Sequence, residues 1–148
     1  MKEHKHIGAY ALIIKNNKIL LIKKVTGPYD GKLDLPGGTI EFGETPEETL
    51  KRELLEETGI EAIKYQLFDA NSVVVTWKYQ DNTDIKTNHL GFFYKILNYK
   101  NEIKKEIAID QVNDDSLGAE FYNIDELTKD KLSAIAILEL EKLGYNLK

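Results

Sequence analysis

Apolar residues recur at short intervals along most of this chain, in runs that favour β-strands. Residues 6–14 and 18–24 are two such runs on either side of Asn16-Asn17, so we predict two strands joined by a tight turn. Residues 63–79 are rich in β-branched and aromatic side chains, which predicts one long strand or two short ones. Shorter strands are predicted at residues 33–35, 89–98 and 120–123.

One helix is indicated between these strands. Thr45 can cap its start, Pro46 suits the first helical position, and Glu48 completes a capping box. Nothing in residues 47–58 breaks a helix, and Gly59 is a natural stop. These local signals predict a helix whose two ends are both defined.

A second helix is predicted over most of residues 125–143. Its apolar stripe and its stop are formed by Ile135, Leu138, Leu143 and Gly144. The remaining segments are a loop, a turn and a polar stretch without assignment, at residues 26–32, 81–84 and 101–118. The order of strands, helix, strands and helix predicts an α/β fold in which a mixed sheet packs between helices.

Composition excludes several classes of protein. The 148 residues are 42% hydrophobic and 30% charged, which fits one domain over residues 1–148. The absence of cysteine excludes disulfides, thiolate nucleophiles and cysteine-bound zinc. A net charge of −5 argues against a sequence-independent grip on nucleic acid. Since no secretory pattern and no apolar run of membrane length is found, we expect a cytoplasmic protein without a membrane partner.

Three acidic residues share one face of the first helix. Glu53, Glu56 and Glu57 are spaced i, i+3 and i+4, so their carboxylates repel one another unless a cation joins them. Oxygen ligands suit Mg²⁺ or Mn²⁺ better than zinc. A Glu pair alone usually marks a solvated surface. Here apolar residues are interleaved with the acids, and a Pro-Gly-Gly turn precedes the helix, which together favour a metal site.

One stretch, residues 38–60, carries a family signature and reads GTIEFGETPEETLKRELLEETGI. Its order of glycine, lone acid, R-E-L-x-E-E-x-G and an aliphatic residue resembles the box of the Nudix family, hydrolases that cut diphosphates linked to a second group. The resemblance extends to the first strand pair, the L-P-G-G turn and the late E-F-Y-x-I-D-E-L segment. It implies an α/β/α sandwich with a mixed β-sheet, in which the box forms a loop, a helix and a loop.

The resemblance also implies roles for individual residues. The implied metal ligands are Glu53 and Glu57 directly, Glu56 as a ligand or a support for one, and the Gly37 carbonyl. Arg52 is implied to orient a glutamate, and Glu44 to support a ligating carboxylate. The general base is either a box glutamate or a later acid, with Asp114, Asp115 and Glu120 as candidates. Among these we favour Asp115 and Glu120, which are also candidate metal ligands.

Substrate contacts are predicted at the turn and in its neighbouring loops. Gly38 lets the backbone approach a ligand closely. Tyr29 and Phe42 are candidates for stacking on a base, although aromatic side chains more often lie in a core. The three histidines, His4, His6 and His89, show no ligand spacing and receive no role.

The implied activity is metal-dependent hydrolysis of a diphosphate bond in a small phosphorylated nucleotide. We expect a nucleoside triphosphate to be cut to monophosphate and pyrophosphate, because the downstream proline of ADP-ribose enzymes is missing and every proline precedes Gly59. Hydrolysis of ADP-ribose or of dinucleoside polyphosphates stays open, as do a catalytically inactive nucleotide-binding module and RNA cap removal. An isopentenyl diphosphate isomerase would need a cysteine. A homodimer is left open.

Overall fold

A computed structural model describes residues 1–101 and 116–148 of the chain. In this part of the chain one sheet consists of the strands β1 Lys2–Leu12, β5 Gly37–Thr39, β6 Glu61–Lys78 and β7 Asp84–Lys100. Their order in the sheet is β5-β1-β7-β6. β1 pairs parallel with β7, whereas the other neighbours in this sheet pair antiparallel, so the sheet is mixed as predicted.

A second sheet is built around one central strand. The strands of this sheet are β2 Ile14–Lys15, β3 Lys18–Lys24, β4 Leu33–Asp34 and β8 Ser116–Asn123. β3 is the central strand and pairs antiparallel with each of the other three. The turn between β2 and β3 is confirmed at Asn16 and Asn17, whose φ angles of 53° and 61° match the left-handed backbone that a two-residue hairpin requires.

The first helix, α1, covers Pro46–Thr58 and begins and ends where the sequence predicts. Thr45 accepts a hydrogen bond from the Glu48 backbone, and the Glu48 side chain accepts one from Thr45. Gly59 ends the helix in the left-handed conformation, with φ of 80°. The apolar face of α1, Leu50 and Leu54, is fully buried against one side of the sheets.

The second helix, α2, is shorter than predicted. It covers Ala134–Lys142, and the segment before it forms two 3₁₀ turns at Ile124–Glu126 and Lys129–Lys131. The prediction of a helix over most of 125–143 is therefore wrong. Ser133 caps α2 through its side chain, while its backbone N–H binds the Leu33 carbonyl at 2.8 Å, so the preceding residues follow β4 instead of continuing a helix.

The two helices pack on opposite faces of the sheets. Alternate residues of β1 point to opposite sides of the sheet. Tyr10 and Leu12 pack in the apolar core on the side of α2, whereas Ala9 and Ala11 pack in the apolar core on the side of α1. This period of two gives an α/β/α arrangement. No helix in residues 1–101 or 116–148 is both long enough and apolar enough to cross a membrane.

Candidate functional site

The turn from β4 into β5 meets the end of α1 through one hydrogen bond. The Gly37 backbone N–H donates to Glu57 Oε1 at 2.7 Å, and Glu57 is only 1% exposed. Gly37 has a φ of 147°, and a Cβ there would lie 2.2 Å from the Ala9 carbonyl oxygen. Only glycine fits this position, so the turn brings bare backbone to a buried carboxylate.

Gly38 makes a second close approach to the same helix. A Cβ at Gly38 would lie between 2.7 and 2.9 Å from the carboxyl atoms of Glu53. The Glu53 side chain is 15% exposed. The missing side chain of Gly38 therefore leaves the space in which this carboxylate sits, one helical turn before Glu57.

Arg52, the sole arginine of the sequence, joins the acids of the box. Its Nε and NH2 groups donate to the two carboxyl oxygens of Glu44 at 2.7 and 2.9 Å, and its NH1 donates to Glu53 at 2.9 Å. Thr49 also donates to Glu44, at 2.8 Å. Hydrogen bonds from Arg52 and Thr49 lower the pKa of Glu44 to about 2, and the same carboxylates raise the pKa of Arg52.

Glu56 differs from its two neighbours. Its side chain is 57% exposed, and its carboxylate lies 3.6 Å from Arg52 NH1. Among the described residues, no three acidic or histidine side chains converge as a set of metal ligands. Arg52 NH1 therefore lies near both Glu53 and Glu56, the Gly37 N–H holds Glu57, and a shared metal site of the three glutamates stays a prediction.

The donor set nevertheless fits a hard divalent ion. Glu53 and Glu57 supply carboxylate oxygens on one face of α1, beside the backbone of two glycines that carry no side chain. Mg²⁺ is typically bound through one or two carboxylates, with water and substrate phosphate completing its shell. Two glutamates against a glycine turn match that pattern.

A buried polar network below the turn was not predicted. Tyr10 and Tyr29 contact the two ring nitrogens of His89, at 2.5 and 2.8 Å, and the His6 ring stacks on His89 at 4.4 Å. Burial lowers the pKa of His89 to about 3, so its ring is neutral near neutral pH. The sequence feature that could have indicated this network is Gly8, a glycine within an apolar strand. Its missing side chain leaves the space that the Tyr10 ring occupies.

The family model of the NUDIX domain matches residues 4–140. The chain belongs to the Nudix family. The crystal structure of the MutT NUDIX hydrolase from Burkholderia pseudomallei superposes with a TM-score of 0.75 at 21% identity, covering 95% of this chain and 99% of that one. The MutT protein from Methanosarcina mazei Go1 has a TM-score of 0.66 at 20% identity, covering 96% and 94%. The predicted Nudix-type α/β/α sandwich is thus confirmed.

Several relatives have names that state an activity. A nucleoside triphosphatase NudI from Enterobacter sp. (strain 638) is 31% identical over 143 residues, 92% of each chain. An 8-oxo-dGTP diphosphatase from Haemophilus influenzae is 34% identical over 99 residues, 65% of each chain. An ADP-ribose pyrophosphatase from Methanocaldococcus jannaschii is 49% identical over 57 residues, 38% of this chain and 34% of that protein. The chain thus spans less than two thirds of the last two relatives.

The other predicted site residues of this Nudix chain lie in different surroundings. Tyr29 is 5% exposed and packs in the core, so the prediction that it stacks on a substrate is wrong. Phe42 is fully exposed in the loop before α1. Glu120 pairs with Leu21 on the α2 face of its sheet, so the structure does not bring it to the glutamates of α1. Asp114 and Asp115 lie outside the described residues.

Proposed function

We propose that this Nudix protein hydrolyses a diphosphate bond in a nucleoside diphosphate linked to another group, and that the substrate is a nucleoside triphosphate. The observation that carries the proposal is the placement of Glu53 and Glu57 against the backbone of Gly37 and Gly38. Carboxylates held at a bare glycine turn leave room for phosphate oxygens beside them.

Each box residue has a proposed role. A Mg²⁺ or Mn²⁺ ion, held by Glu53 and Glu57 with Glu56 and the Gly37 carbonyl as further ligands, would acidify a bound water and neutralise charge on the phosphoryl oxygens. Arg52 orients Glu53 through its NH1 hydrogen bond. Glu44 holds the other edge of the guanidinium, so that the Arg52 fork cannot rotate.

We propose Glu56 as the general base when it does not bind the ion itself. Among Glu53, Glu56 and Glu57 it is the exposed side chain, 57% accessible, and it lies one turn after Glu53 and next to Glu57 in sequence. A carboxylate open to solvent can take a proton from an attacking water and release it. Asp115 stays a prediction for the same role.

Two relatives support a triphosphate substrate. The names of the Enterobacter and Haemophilus influenzae proteins refer to nucleoside triphosphate substrates, and the Enterobacter protein matches 92% of this chain. Phe42, exposed beside the turn, is the proposed stacking residue for a base, and Gly38 offers its backbone to the phosphates. We also propose a cytoplasmic protein whose single domain spans residues 1–148.

ADP-ribose is the second candidate substrate. The Methanocaldococcus jannaschii relative named for that activity is 49% identical over its matching 57 residues. Since the diphosphate chemistry is the same, only the group beyond the phosphates separates the two candidates.

A side-by-side measurement of kcat/KM with Mg²⁺ tests the proposal. The panel contains canonical and oxidised nucleoside triphosphates, ADP-ribose, NADH and diadenosine polyphosphates. For the triphosphates, the products are identified as monophosphate with pyrophosphate or as diphosphate with phosphate. We expect a triphosphate to give the highest value and to release pyrophosphate. A preference for ADP-ribose of more than about tenfold would reject the triphosphate but keep the hydrolase, whereas no turnover of any member would reject both.

A further inference from the structure

The Tyr10 ring occupies a space made by two glycines on two strands. Tyr10 is 2% exposed. A Cβ at Gly8, on the same strand, would lie 2.5 Å from the Tyr10 hydroxyl, and a Cβ at Gly37, on β5, would lie 2.6 Å from Tyr10 Cδ1. Tyr10 and Gly37 are also direct partners in the pairing of β1 with β5. The ring is therefore a close-packed support under the peptide that binds Glu57.

Hydrogen bonds hold the ring in that position. The Tyr10 hydroxyl contacts His89 Nε2 at 2.5 Å, and His89 Nδ1 contacts the Tyr29 hydroxyl at 2.8 Å. A neutral imidazole has one donor and one acceptor nitrogen, so one tyrosine donates to it and the other accepts from it. The chain of bonds joins the 3₁₀ turn Gly27–Tyr29, β7 and β1.

We propose that Tyr10, anchored by His89, is a positioning residue that holds the Gly37 N–H on Glu57. The argument rests on the proposed function only for the role of Glu57 as a metal ligand. The Gly37 N–H fixes one carboxyl oxygen of Glu57 at 2.7 Å, which sets the direction in which the other oxygen points. Support of a ligating carboxylate from a neighbouring group commonly alters metal affinity.

Amide hydrogen exchange of the metal-free chain tests whether Tyr10 holds the turn. The variants are Tyr10→Phe, which removes only the hydroxyl, and Tyr10→Leu, which removes the ring. The matched controls are Tyr94→Phe and Tyr94→Leu, because Tyr94 is also buried, at 5% exposure, but packs on the α1 side. Exchange at Gly37 is compared with exchange at Leu54 in the same protein, which corrects for global stability.

We expect Gly37 exchange to rise roughly tenfold relative to Leu54 in Tyr10→Phe, the effect of losing one buried hydrogen bond, and further in Tyr10→Leu. The Tyr94 variants should keep the wild-type ratio. An unchanged ratio in both Tyr10 variants, or an equal rise in the Tyr94 variants, would overturn the proposal.

A kinetic measurement tests whether the effect reaches Glu57. In Tyr10→Phe the Mg²⁺ concentration for half-maximal activity should rise about tenfold, because a group that positions a metal-ligating carboxylate affects metal affinity. The KM for the nucleotide should stay at its wild-type value. An unchanged Mg²⁺ requirement would overturn the proposal even if exchange rises. If the wild-type chain hydrolyses nothing, the proposed function fails, and the exchange result alone decides whether Tyr10 holds Gly37.

Discussion

Arg52 and Glu44, eight residues apart in sequence, are joined by two parallel hydrogen bonds. Arg52 Nε donates to Glu44 Oε2 at 2.7 Å, and NH2 donates to Oε1 at 2.9 Å. The same guanidinium reaches Glu53 through NH1. One planar fork therefore fixes the loop before α1 and a carboxylate on the helix at once, which a lysine could not do.

Breaking this fork should impair activity from either side. We expect Arg52→Lys and Glu44→Gln each to lower kcat/KM at least about tenfold, because each leaves a charged partner without its bidentate bond. The double variant should be little worse than either single variant, since both remove the same contact. Additive losses would contradict this coupling. Glu47→Gln, an exposed change on the same helix, serves as the control and should retain activity.

Acid should remove the stabilisation that Glu44 provides. The pKa of Glu44 is lowered to about 2 in the folded protein by Arg52 and Thr49. A glutamate with a lowered folded pKa contributes stability above its unfolded pKa of about 4.3 and loses it as the pH falls toward the folded value. The difference in Tm between wild type and Glu44→Gln should therefore shrink from about pH 5 to about pH 2. A difference that stays constant over this range would refute the prediction.

Mg²⁺ should stabilise the wild-type chain through Glu57. At metal a hundredfold above Kd the expected gain in the free energy of unfolding is about 2.7 kcal/mol. Glu57→Gln keeps an oxygen acceptor for the Gly37 N–H but loses the charge, so its Tm should not respond to Mg²⁺. Its kcat/KM should fall by an amount that corresponds to the loss of roughly 3 kcal/mol of transition-state stabilisation. Glu61→Gln, outside α1, should keep the full response.

A thermal shift with Mg²⁺ that is absent from wild type, or present in Glu57→Gln, would count against the metal site. Full activity in excess EDTA would do the same.

Replacing Gly37 should lower stability, whereas replacing Gly38 should lower activity. Alanine at Gly37 meets backbone at 2.2 Å and a φ of 147°, so Gly37→Ala should cost about 3 kcal/mol of stability. Alanine at Gly38 meets only the movable end of Glu53, so Gly38→Ala should fold with a nearly unchanged Tm but lose at least about tenfold in activity by displacing that carboxylate. Equal Tm losses in both variants, or an active Gly38→Ala, would contradict this difference.

Glu139 should make stability fall as pH rises. It is fully buried, and its carboxyl group lies beside that of Asp69. Burial, and then the neighbouring Asp69, raise its pKa from 4.5 to about 8, with Lys142 acting in the opposite direction. A raised folded pKa means that its contribution is complete below pH 4.5 and is lost as the pH rises toward 8.

The measurement is Tm at both ends of that window for wild type and Glu139→Gln. We subtract the Tm of wild type from the Tm of Glu139→Gln at each pH. This difference should be at least about 3 °C larger at the alkaline end of the window than at the acid end. Glu141→Gln, a half-exposed change on the same helix, should track wild type. A Glu139→Gln variant that also tracks wild type would show that this carboxyl does not titrate in the window.

Local chemistry made part of the structure predictable. The limits of α1 follow from the Thr45–Glu48 capping box and from Gly59, and the hairpin follows from Asn16 and Asn17; all of these act on backbone groups within a few residues. The box glutamates could be placed on a single helix face for the same reason, because the period of a helix is local.

Contacts between distant segments decided the rest. α2 begins only at Ala134 because Ser133 bonds to β4, about a hundred residues earlier, through the Leu33 carbonyl and the Asp34 carboxylate. The burial of Tyr29, and its bond to His89, likewise depend on a sheet that joins residues far apart. Helix periodicity put Glu56 and Glu57 side by side, but only the turn at Gly37 drew Glu57 inward while Glu56 stayed in solvent. The sequence by itself determined which carboxylates share α1. Tertiary packing decided which of them meet the backbone of the turn, because a hydrogen bond needs its partner brought within about 3.2 Å.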